Sequence, residues 1–276
     1  MDKLFFSVII PTLNEEKFIG RLLTDLVKQV SHDFEVIVVD GNSKDKTTSI
    51  VKDYQVKLPL KLLVTEKGVS RQRNQGVKVA QGQYLVFLDA DVQVPKNFLA
   101  QLRRKIGTYG GDLFTTYIKP DSRLVADRAI AQYINWGVAI SILLEKPMVG
   151  GYNFIVSQKA FARVNGFDER IVHSEDIDLS MRLHKAGFPL TLFKSPVVTF
   201  SLRRYRAEGR IAVLRKLAQA GIHIFTVGPI TQNIFSYPMG GAWYKNFKKP
   251  KINTKIKTLA NQYLKQFKKA LLEEVF

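Results

Sequence analysis

The stretch "YLVFLDADV" (residues 84–92) joins an apolar run to two carboxylates that lie one residue apart. The apolar residues 85–88 predict a buried β-strand, and Asp89 and Asp91 follow at its end. Carboxylates this close repel each other unless a cation or a hydrogen-bonded ligand lies between them. The rest of the sequence has to indicate which of the two it is.

The composition is that of a globular α/β protein. The chain has 276 residues, of which 46% are hydrophobic, enough for one large domain or one domain with an appendage. It has no cysteine, which excludes disulfides and thiolate metal sites and fits a reducing compartment. The N-terminal "MDKLFFSVII" lacks a basic region and a cleavage site, so we expect a strand there and no signal peptide. No apolar run reaches the roughly 18 residues of an ordinary spanning helix.

Positive charge is concentrated near the C-terminus. The net charge is +18, and the part from Arg203 onward holds fifteen Lys and Arg against three Glu, a net charge of +12. Such a block is typical of proteins that meet an anionic surface, either nucleic acid or the cytoplasmic face of a membrane. A solvated basic tail without a partner is the alternative.

Strands and helices alternate over the first ninety residues. We predict strands over 4–10, 34–40, 60–66 and 83–91, with a helix over 68–82 before the last of them. This alternation predicts βαβ units and a mostly parallel sheet. Ligands of such sheets bind beyond the carboxyl ends of the strands, where "PTLNEE", "DGNS", "TEKG" and "DAD" lie. These polar ends indicate a nucleotide-binding half-domain.

The first loop excludes two common ways of holding phosphates. A dinucleotide fold needs glycines directly after its first strand, but no glycine precedes Gly20, and the P-loop pattern is absent. A diphosphate can instead be held by a divalent cation on carboxylates together with a cationic side chain. Asp89 and Asp91 are candidates for the first role and Arg73 for the second.

Four stretches carry a resemblance to a known family: "SVIIPTLNEE", "EVIVVDGNSKDKT", "GVSRQRNQGVKVAQGQYLVFLDADV" and "GGYNFIVSQKAFARVNGFDERIVHSEDIDLSMRLHKAGF". In this order they resemble the family 2 glycosyltransferases of GT-A fold, over roughly residues 4–200. The resemblance implies a GT-A domain over residues 1–202, with a Rossmann-like, mostly parallel sheet flanked by helices. Residues 203–276 would form a helical, basic and partly apolar appendage.

The resemblance also implies a role for each motif residue. Asp40 would bind the base, Asp89 would lie near the ribose and share the metal with Asp91, and Asp176 of the Glu175–Asp176 pair would act as the base. The expected nucleotide-binding set is Pro11, Thr12, Leu13, Asn14, Glu15, Asp40, Asn42, Ser43, Arg73, Asp89 and Ala90.

The implied reaction moves a hexosyl group from a UDP- or GDP-sugar to an acceptor. A bound Mg²⁺ or Mn²⁺ neutralises the charge that builds on the leaving diphosphate. A carboxylate on the opposite face, here Asp176, takes the proton of the acceptor hydroxyl, and a single displacement inverts the anomeric centre. Many relatives carry a histidine after the last core strand, whereas this chain has Phe200 near that point. Water could complete the metal site, or Arg203 and Arg204 could meet the diphosphate instead.

Several of these residues have a purely structural alternative. Glu175, Asp176 and Asp178 could be the acidic first turn of a helix, which the helix dipole favours. Asp40 could simply end a turn. His173 could be a surface histidine bound to a neighbouring side chain, which is a simpler role than metal binding.

Three apolar segments bear on the acceptor and on localisation. Residues 124–151 lie where the family places acceptor contacts, and residues 221–244 are apolar but broken by Gly and Pro. Apolar residues recur every four positions from Leu259 to Leu271 with Lys between them, the pattern of a basic amphipathic helix. We therefore expect a glycan or polyprenyl-phosphate-linked acceptor and a cytoplasmic protein peripheral on the inner face of the cell membrane. Packing of that helix on the domain or on another subunit is the alternative.

Two other function classes fit the sequence less well. A sugar-1-phosphate nucleotidyltransferase would need a glycine-rich, basic loop after the first strand, and "PTLNEE" is the opposite. A nucleic-acid-binding protein would interleave aromatic and basic residues in a groove. Here the acidic strand ends would repel the phosphates of a nucleic acid. We therefore expect no nucleic-acid partner.

Overall fold

The computed structural model describes residues 4–241. Its strands are β1 Phe6–Thr12, β2 Phe34–Asp40, β3 Leu60–Val64, β4 Tyr84–Leu88, β5 Leu113–Pro120, β6 Asn153–Ser157 and β7 Leu190–Phe200. Its helices are α1 Ile19–Val27, α2 Thr47–Asp53, α3 Val69–Lys78, α4 Phe98–Tyr109, α5 Val125–Leu143, α6 Gln158–Arg163, α7 Glu175–Lys185, α8 Arg203–Glu208 and α9 Arg210–Thr226.

The strands form one sheet in the order β3-β2-β1-β4-β6-β5-β7. The first four are parallel, as the alternation predicted, while β6 runs antiparallel between β4 and β5. Because β1 and β2 pair from Phe6 with Phe34 to Thr12 with Asp40, the loops after them start at the same level of the sheet. The predicted donor residues therefore meet at one edge.

Alternate strand residues build two separate cores. Val8, Val36 and Val86 face the helices α1 and α4, whereas Ile9, Ile37 and Phe87 face α3 and α7. Successive side chains of a strand point to opposite faces, so a strand buried on both faces is apolar at nearly every position. This explains the unbroken apolar runs that precede the polar loops.

Several predicted boundaries are wrong by a few residues: β1 spans Phe6–Thr12 and not 4–10, and β3 ends at Val64 and not at residue 66. Strand β4 ends at Leu88, so Asp89 and Asp91 lie in the loop beyond it and not within the predicted strand 83–91. Helix α3 ends at Lys78 and not at Gly82. A Cβ at Gly82 would lie 2.4 Å from the Phe6 carbonyl carbon, so this residue crosses close to β1. The chain needs residues 79–82 to turn from α3 into β4.

The described part of the C-terminal region packs on the sheet domain. Residues 203–241 belong to the same compact unit as the sheet, so the predicted boundary at residue 202 does not mark a break in packing. Helices α5, α8 and α9 share a small apolar cluster around Ile130, Tyr205 and Val213. No helix within residues 4–241 is long and apolar enough to cross a membrane. The predicted amphipathic helix around residues 259–271 lies outside the described residues.

Candidate active site at the carboxyl ends of the strands

Asp40 ties the ends of β1 and β2 together. Its Oδ2 accepts from Thr12 Oγ1 at 2.8 Å and from Ser43 Oγ at 2.6 Å, and its Oδ1 accepts from the Ser43 backbone N–H at 2.7 Å. Asp40 is fully buried. Thr12, Asp40 and Ser43 therefore form one hydrogen-bonded unit. The predicted hydrogen bond from a base to Asp40 would have to form in addition to these three bonds.

The loops after β1 and β2 are joined residue by residue. The Asn14 N–H donates to Ser43 Oγ and the Glu15 N–H donates to Thr47 Oγ1, both at 2.7 Å. Asn14 and Asn42 have φ of 53° and 67°, left-handed conformations that Asn adopts more readily than most residues. Pro11 is half-buried within β1, and Leu13 accepts from the Gly241 N–H through its backbone oxygen.

Gln72 fixes the same edge from helix α3, and the motif comparison did not single it out. Its amide nitrogen donates to the Thr12 carbonyl at 2.8 Å and to the Val39 carbonyl at 2.7 Å. Gln72 is buried, so it supplies partners for two carbonyls where the parallel pairing of β1 and β2 ends. The only signal in the sequence was a Gln directly before the motif arginine Arg73.

Arg73 joins the two carboxylate motifs. Its Nη1 donates to Glu175 at 2.6 Å and its Nη2 donates to Asp89 at 3.1 Å, while its guanidinium lies 5.3 Å from the Phe167 ring centre. Burial lowers the pKa of Arg73, but the charges of Glu175, Asp89 and Asp176 outweigh this and raise it. The side chain is 2% exposed and stays charged. Arg73 thus lies among the carboxylates of this edge, and its predicted role in holding the diphosphate stays a prediction.

Asp176 lies at the start of α7 and is held by backbone donors. Its Oδ2 accepts from the Gly151 N–H at 2.5 Å and its Oδ1 accepts from the Ile177 N–H at 2.8 Å. Burial, followed by the neighbouring charge of Glu175, raises the pKa of Asp176 to about 7, against the opposing effect of Arg73. The arrangement gives a carboxylate in fixed orientation whose protonation changes near neutral pH, as a general base requires.

Gly151 and Tyr152 are site residues to which the sequence comparison assigned no role. A Cβ at Gly151 would lie 2.2 Å from Arg73 Nη2, so only glycine allows the backbone to pass this close. Tyr152 packs on Phe200 with the ring centres 4.4 Å apart. Burial raises the pKa of Tyr152, and the neighbouring Tyr205, Asp176 and Asp89 add to this.

Asp91 pairs with an arginine from the C-terminal region. Arg203 Nε lies 2.8 Å from Asp91 Oδ2, and its Nη1 and Nη2 donate to both oxygens of Glu15 at 2.8 and 2.7 Å. Burial raises the pKa of Asp91 to about 7; Arg203 opposes this, and Asp89 and Glu15 add to it. Two carboxylates, Asp91 and Glu15, thus bind Arg203, and Ala90 is buried between Asp89 and Asp91.

The carboxylates fit a hard divalent cation only in part. Oxygen ligands suit Mg²⁺ and Mn²⁺, and the excess negative charge around Asp91 favours a cation. Asp89 and Asp91 would hold it, with Arg203 moving off Asp91 Oδ2. No cluster of three or more His, Asp or Glu side chains with room for a metal occurs within residues 4–241. The nucleotide and water would therefore have to supply the remaining ligands.

Three neighbouring residues that the sequence left open, Asp178, His173 and Arg204, have structural partners, and so has Asn74 beside Arg73. Asp178 pairs with Arg182 at 2.7 Å, and Asn74 binds the backbone of Phe167. His173 packs between Phe235 and Tyr237, and burial lowers its pKa. Arg204, which the sequence suggested for the diphosphate, binds Glu208 and the Pro238 carbonyl, whereas Arg203 stays at the carboxylate edge.

The sequence profile described as "Glycosyl transferase family 2" matches residues 7–164, more than half of the chain. The chain belongs to glycosyl transferase family 2. The resemblance on which the site residues were assigned is therefore confirmed at the level of the family. The matched region contains Arg73, Asp89 and Asp91 and ends before the Glu175–Asp176 pair.

Two curated relatives differ in how much of their own length the similarity covers. The chain is 39% identical over 119 residues to the poly(ribitol-phosphate) beta-N-acetylglucosaminyltransferase TarS of Staphylococcus aureus, covering 41% of this chain and 21% of that one. It is 29% identical over 222 residues to the amylovoran biosynthesis glycosyltransferase AmsB of Erwinia amylovora, covering 73% and 71%. The chain thus spans about a fifth of the length of TarS and most of that of AmsB.

Solved structures confirm the predicted GT-A fold. The crystal structure of S. aureus TarS 1-349 with UDP-GlcNAc has a TM-score of 0.59 at 25% identity, covering 71% of this chain and 58% of that one. The mannosyltransferase PcManGT from Pyrobaculum calidifontis, solved with GDP-Man and Mn²⁺, has the same TM-score at 21% identity, covering 78% and 64%. At that identity the second likeness shows the fold alone.

Proposed function

We propose that this protein transfers a sugar from a nucleotide-diphosphate sugar to a cell-envelope acceptor, with inversion at the anomeric carbon. The observation that carries the proposal is the position of Arg73. One buried guanidinium binds Asp89, of the aspartate pair after β4, and Glu175, which precedes Asp176. The predicted donor side and the predicted base therefore share one site at the carboxyl ends of the strands, where α/β sheets bind ligands.

The donor is a UDP- or GDP-sugar in this proposal. The linked loops after β1 and β2 would receive the nucleoside, with Asp40, Asn42 and Ser43 nearest the base. Asp40 holds Thr12 and Ser43 in place, and this pre-ordering lowers the entropy lost when a nucleotide binds. The structure of TarS, which is 25% identical to this chain, was solved with UDP-GlcNAc. This favours a UDP-sugar as the donor of this protein.

Asp176 is the proposed general base. Glu175 is neutralised by Arg73, so the ionised Asp176 is the carboxylate left to take a proton from the acceptor hydroxyl. The two backbone bonds fix the direction of its carboxylate. A positioned base of this kind typically contributes a factor of about 10²–10⁴ to the rate. An acceptor that is already ionised, such as a lipid phosphate, would not need it.

A divalent cation is part of the proposal. Asp89 and Asp91 would hold Mg²⁺ or Mn²⁺, which when bound neutralises the charge that develops on the leaving diphosphate. Arg203 is the side chain that would have to release Asp91, and with its bond to Glu15 kept it would meet the diphosphate. The chain's own contribution is to hold both aspartates at the end of β4 and to keep Arg73 on Asp89.

The proposed acceptor is a glycan or a polyprenyl-phosphate-linked acceptor of the cell envelope. TarS is named for transfer to poly(ribitol-phosphate) and AmsB for amylovoran biosynthesis, which favours a glycan or another envelope polymer. The apolar segment around α5 and the basic residues beyond 203 favour a polyprenyl-phosphate-linked acceptor at the cytoplasmic face of the membrane. We therefore propose a peripheral protein of the inner membrane face and no nucleic-acid partner.

Calorimetric titration with UDP and with GDP, each with and without Mn²⁺, tests the donor site. We expect one nucleotide to bind at least about tenfold more tightly with Mn²⁺, and Asp91→Ala to abolish that difference. The matched control is Asp53→Ala, which removes an exposed carboxylate at the end of α2 and should leave binding unchanged. Absence of binding of both nucleotides to the folded protein would contradict the proposal.

A further inference from the structure

Helices α5 and α9 form an outer face that is apolar where a soluble protein is normally polar. On α5 the side chains of Trp136 and Leu143 are 60% and 81% exposed, and Ile222 on α9 is 65% exposed. The exposed large apolar residues of this face, which we call the α5–α9 face, are Tyr133, Trp136, Ile140, Leu143, Leu144, Ile211, Leu217, Ile222 and Phe225. A helix on a protein surface normally turns its polar side to water, and large apolar patches mark interaction sites.

The two helices lie side by side and run in the same direction. Near their first turns Arg210 donates to Asp127 at 2.6 Å, and one turn further on Ile130 and Val213 share a cluster. Just beyond the end of α5, Lys146 Nζ lies 5.0 Å from the ring centre of Phe225. The two helices therefore meet near both of their ends, and each carries exposed apolar residues between these contacts.

The charges around the α5–α9 face are mainly basic. Arg128, Lys146 and Arg215 are exposed along it. Of the two acids in residues 124–146 and 210–228, Asp127 is buried beneath Arg206 and Arg210, which leaves Glu145. An apolar surface with a basic border and exposed Tyr and Trp matches the interface of an anionic bilayer, where aromatic rings and Lys or Arg anchor proteins.

We infer that the α5–α9 face binds an anionic phospholipid membrane, with Trp136, Leu143 and Ile222 entering the interfacial layer. The inference rests on the proposed function for the kind of partner, and it adds the surface that meets it. Residues 144–150 connect the end of α5 to Gly151, which donates to Asp176. A protein lying on this face would therefore hold the predicted base close to the membrane, where a lipid-linked acceptor is presented.

Trp136 reports directly on this contact. The chain has two Trp residues, so Trp243→Phe leaves Trp136 as the only one in the full-length protein. With vesicles of phosphatidylglycerol and phosphatidylcholine, we expect its emission to shift to the blue and to be quenched by brominated acyl chains. Vesicles of phosphatidylcholine alone should bind at least about tenfold more weakly, because the basic border gains nothing from them.

A pair of surface substitutions separates this face from other causes of binding. Leu143→Gln with Ile222→Gln should weaken partitioning to anionic vesicles by about tenfold or more, since two apolar side chains no longer leave water. Val30→Gln with Val56→Gln is the matched control, because these valines are 56% and 88% exposed elsewhere on the protein, and it should bind as the parent does.

Three results would overturn the inference. The first is vesicle binding without quenching of Trp136, which would assign attachment to another part of the chain. The second is a blue-shifted Trp136 in the absence of lipid together with a dimer in sedimentation that the paired substitution dissociates, which would make the face a contact between copies. The third is no binding to anionic vesicles. None of these results depends on catalysis. If the protein bound vesicles through this face but bound no nucleotide, the proposed function would be contradicted and the membrane-binding inference would stand.

Discussion

The carboxyl edge of the sheet and the α5–α9 face depart from the usual distribution of residues in opposite ways. At the edge, Asp40, Arg73 and Glu175 are polar and almost fully buried, whereas on the face Trp136 and Leu143 are apolar and exposed. Burying charge is costly unless it is paired, and exposing large apolar groups is costly unless they are covered. At the edge the chain pairs its own buried charges, through hydrogen bonds and ion pairs. On the face the apolar side chains are exposed among residues 4–241, and the inferred membrane would cover them.

The difference has a consequence for rigidity. Each loop at the donor edge is held by short side-chain bonds to its neighbour, such as Ser43 to Asp40 and Gln72 to the carbonyls of Thr12 and Val39. The segment that follows α9 is held by a few bonds to its backbone, such as those from Arg204 to the Pro238 carbonyl and from Lys216 to the Ser236 carbonyl, and by aromatic contacts of His173 with Phe235 and Tyr237. Donor binding should therefore tolerate changes in the C-terminal segment, whereas changes at the edge should damage both binding and stability.

Removal of the proposed base should have the largest effect. In Asp176→Asn the carboxylate that receives the acceptor proton is lost, so kcat should fall by about 10²–10⁴-fold while the Kd for nucleotide stays within about twofold. The measurements are steady-state sugar transfer and calorimetry on the same preparation. A kcat close to that of the parent would show that the acceptor arrives already ionised, and the base role of Asp176 would be withdrawn.

Breaking the link between the two carboxylate motifs should rank second. Arg73→Met leaves Glu175 buried without its partner, and the loss of one member of a buried ion pair typically costs about 3–5 kcal/mol of unfolding free energy. Urea unfolding measures the change. Arg71→Met is the matched control, since Arg71 lies two residues away on the same helix but pairs with Glu66 and Glu169 at the surface. Equal losses in both variants would contradict the structural role of Arg73.

The pH dependence of turnover should follow Asp176. Because its pKa is raised to about 7, kcat at saturating donor and Mn²⁺ should rise about tenfold per pH unit below that value and level off above it. In the unfolded chain an Asp ionises near pH 4, so this group makes the folded protein less stable as the pH rises from about 4 to 7. Asp176→Asn should lack that part of the decline. A flat kcat profile from pH 5.5 to 8 would contradict the assignment.

The sequence predicted the first half of the fold well because its signals are local. Strand β2 was predicted as residues 34–40 and spans Phe34–Asp40, since an apolar run bounded by polar turns leaves little choice. The motif residues Asp89 and Asp91 were placed at a strand end for the same reason. The error in β4, which ends at Leu88, arose because alternating Asp and Ala continue the strand pattern although the chain has already left the sheet.

The contacts that complete the site could not be predicted in the same way. Glu15 and Arg203 are 188 residues apart, and no period or motif connects them. A side chain at position 151 would collide with the Arg73 guanidinium, so glycine is needed there. The sequence does not show that these two residues meet, because only folding brings them together. The exposure of Trp136 could not be predicted from the pattern either, because an apolar helix within a globular domain is usually buried.

Loosening the C-terminal segment should have the smallest effect. The Tyr237 ring lies 3.6 Å from the Arg204 guanidinium carbon and packs against His173, so Tyr237→Ala should cost about 1 kcal/mol of unfolding free energy. Proteolysis between residues 229 and 241 should become faster, and nucleotide Kd should stay within about twofold because the donor edge keeps its own bonds. Tyr133→Ala, which removes an exposed ring from α5, should change neither in lipid-free buffer. If Tyr237→Ala instead weakened nucleotide binding by tenfold, the bond from the Gly241 N–H to the Leu13 carbonyl would be part of the donor site, and the two regions would not be independent.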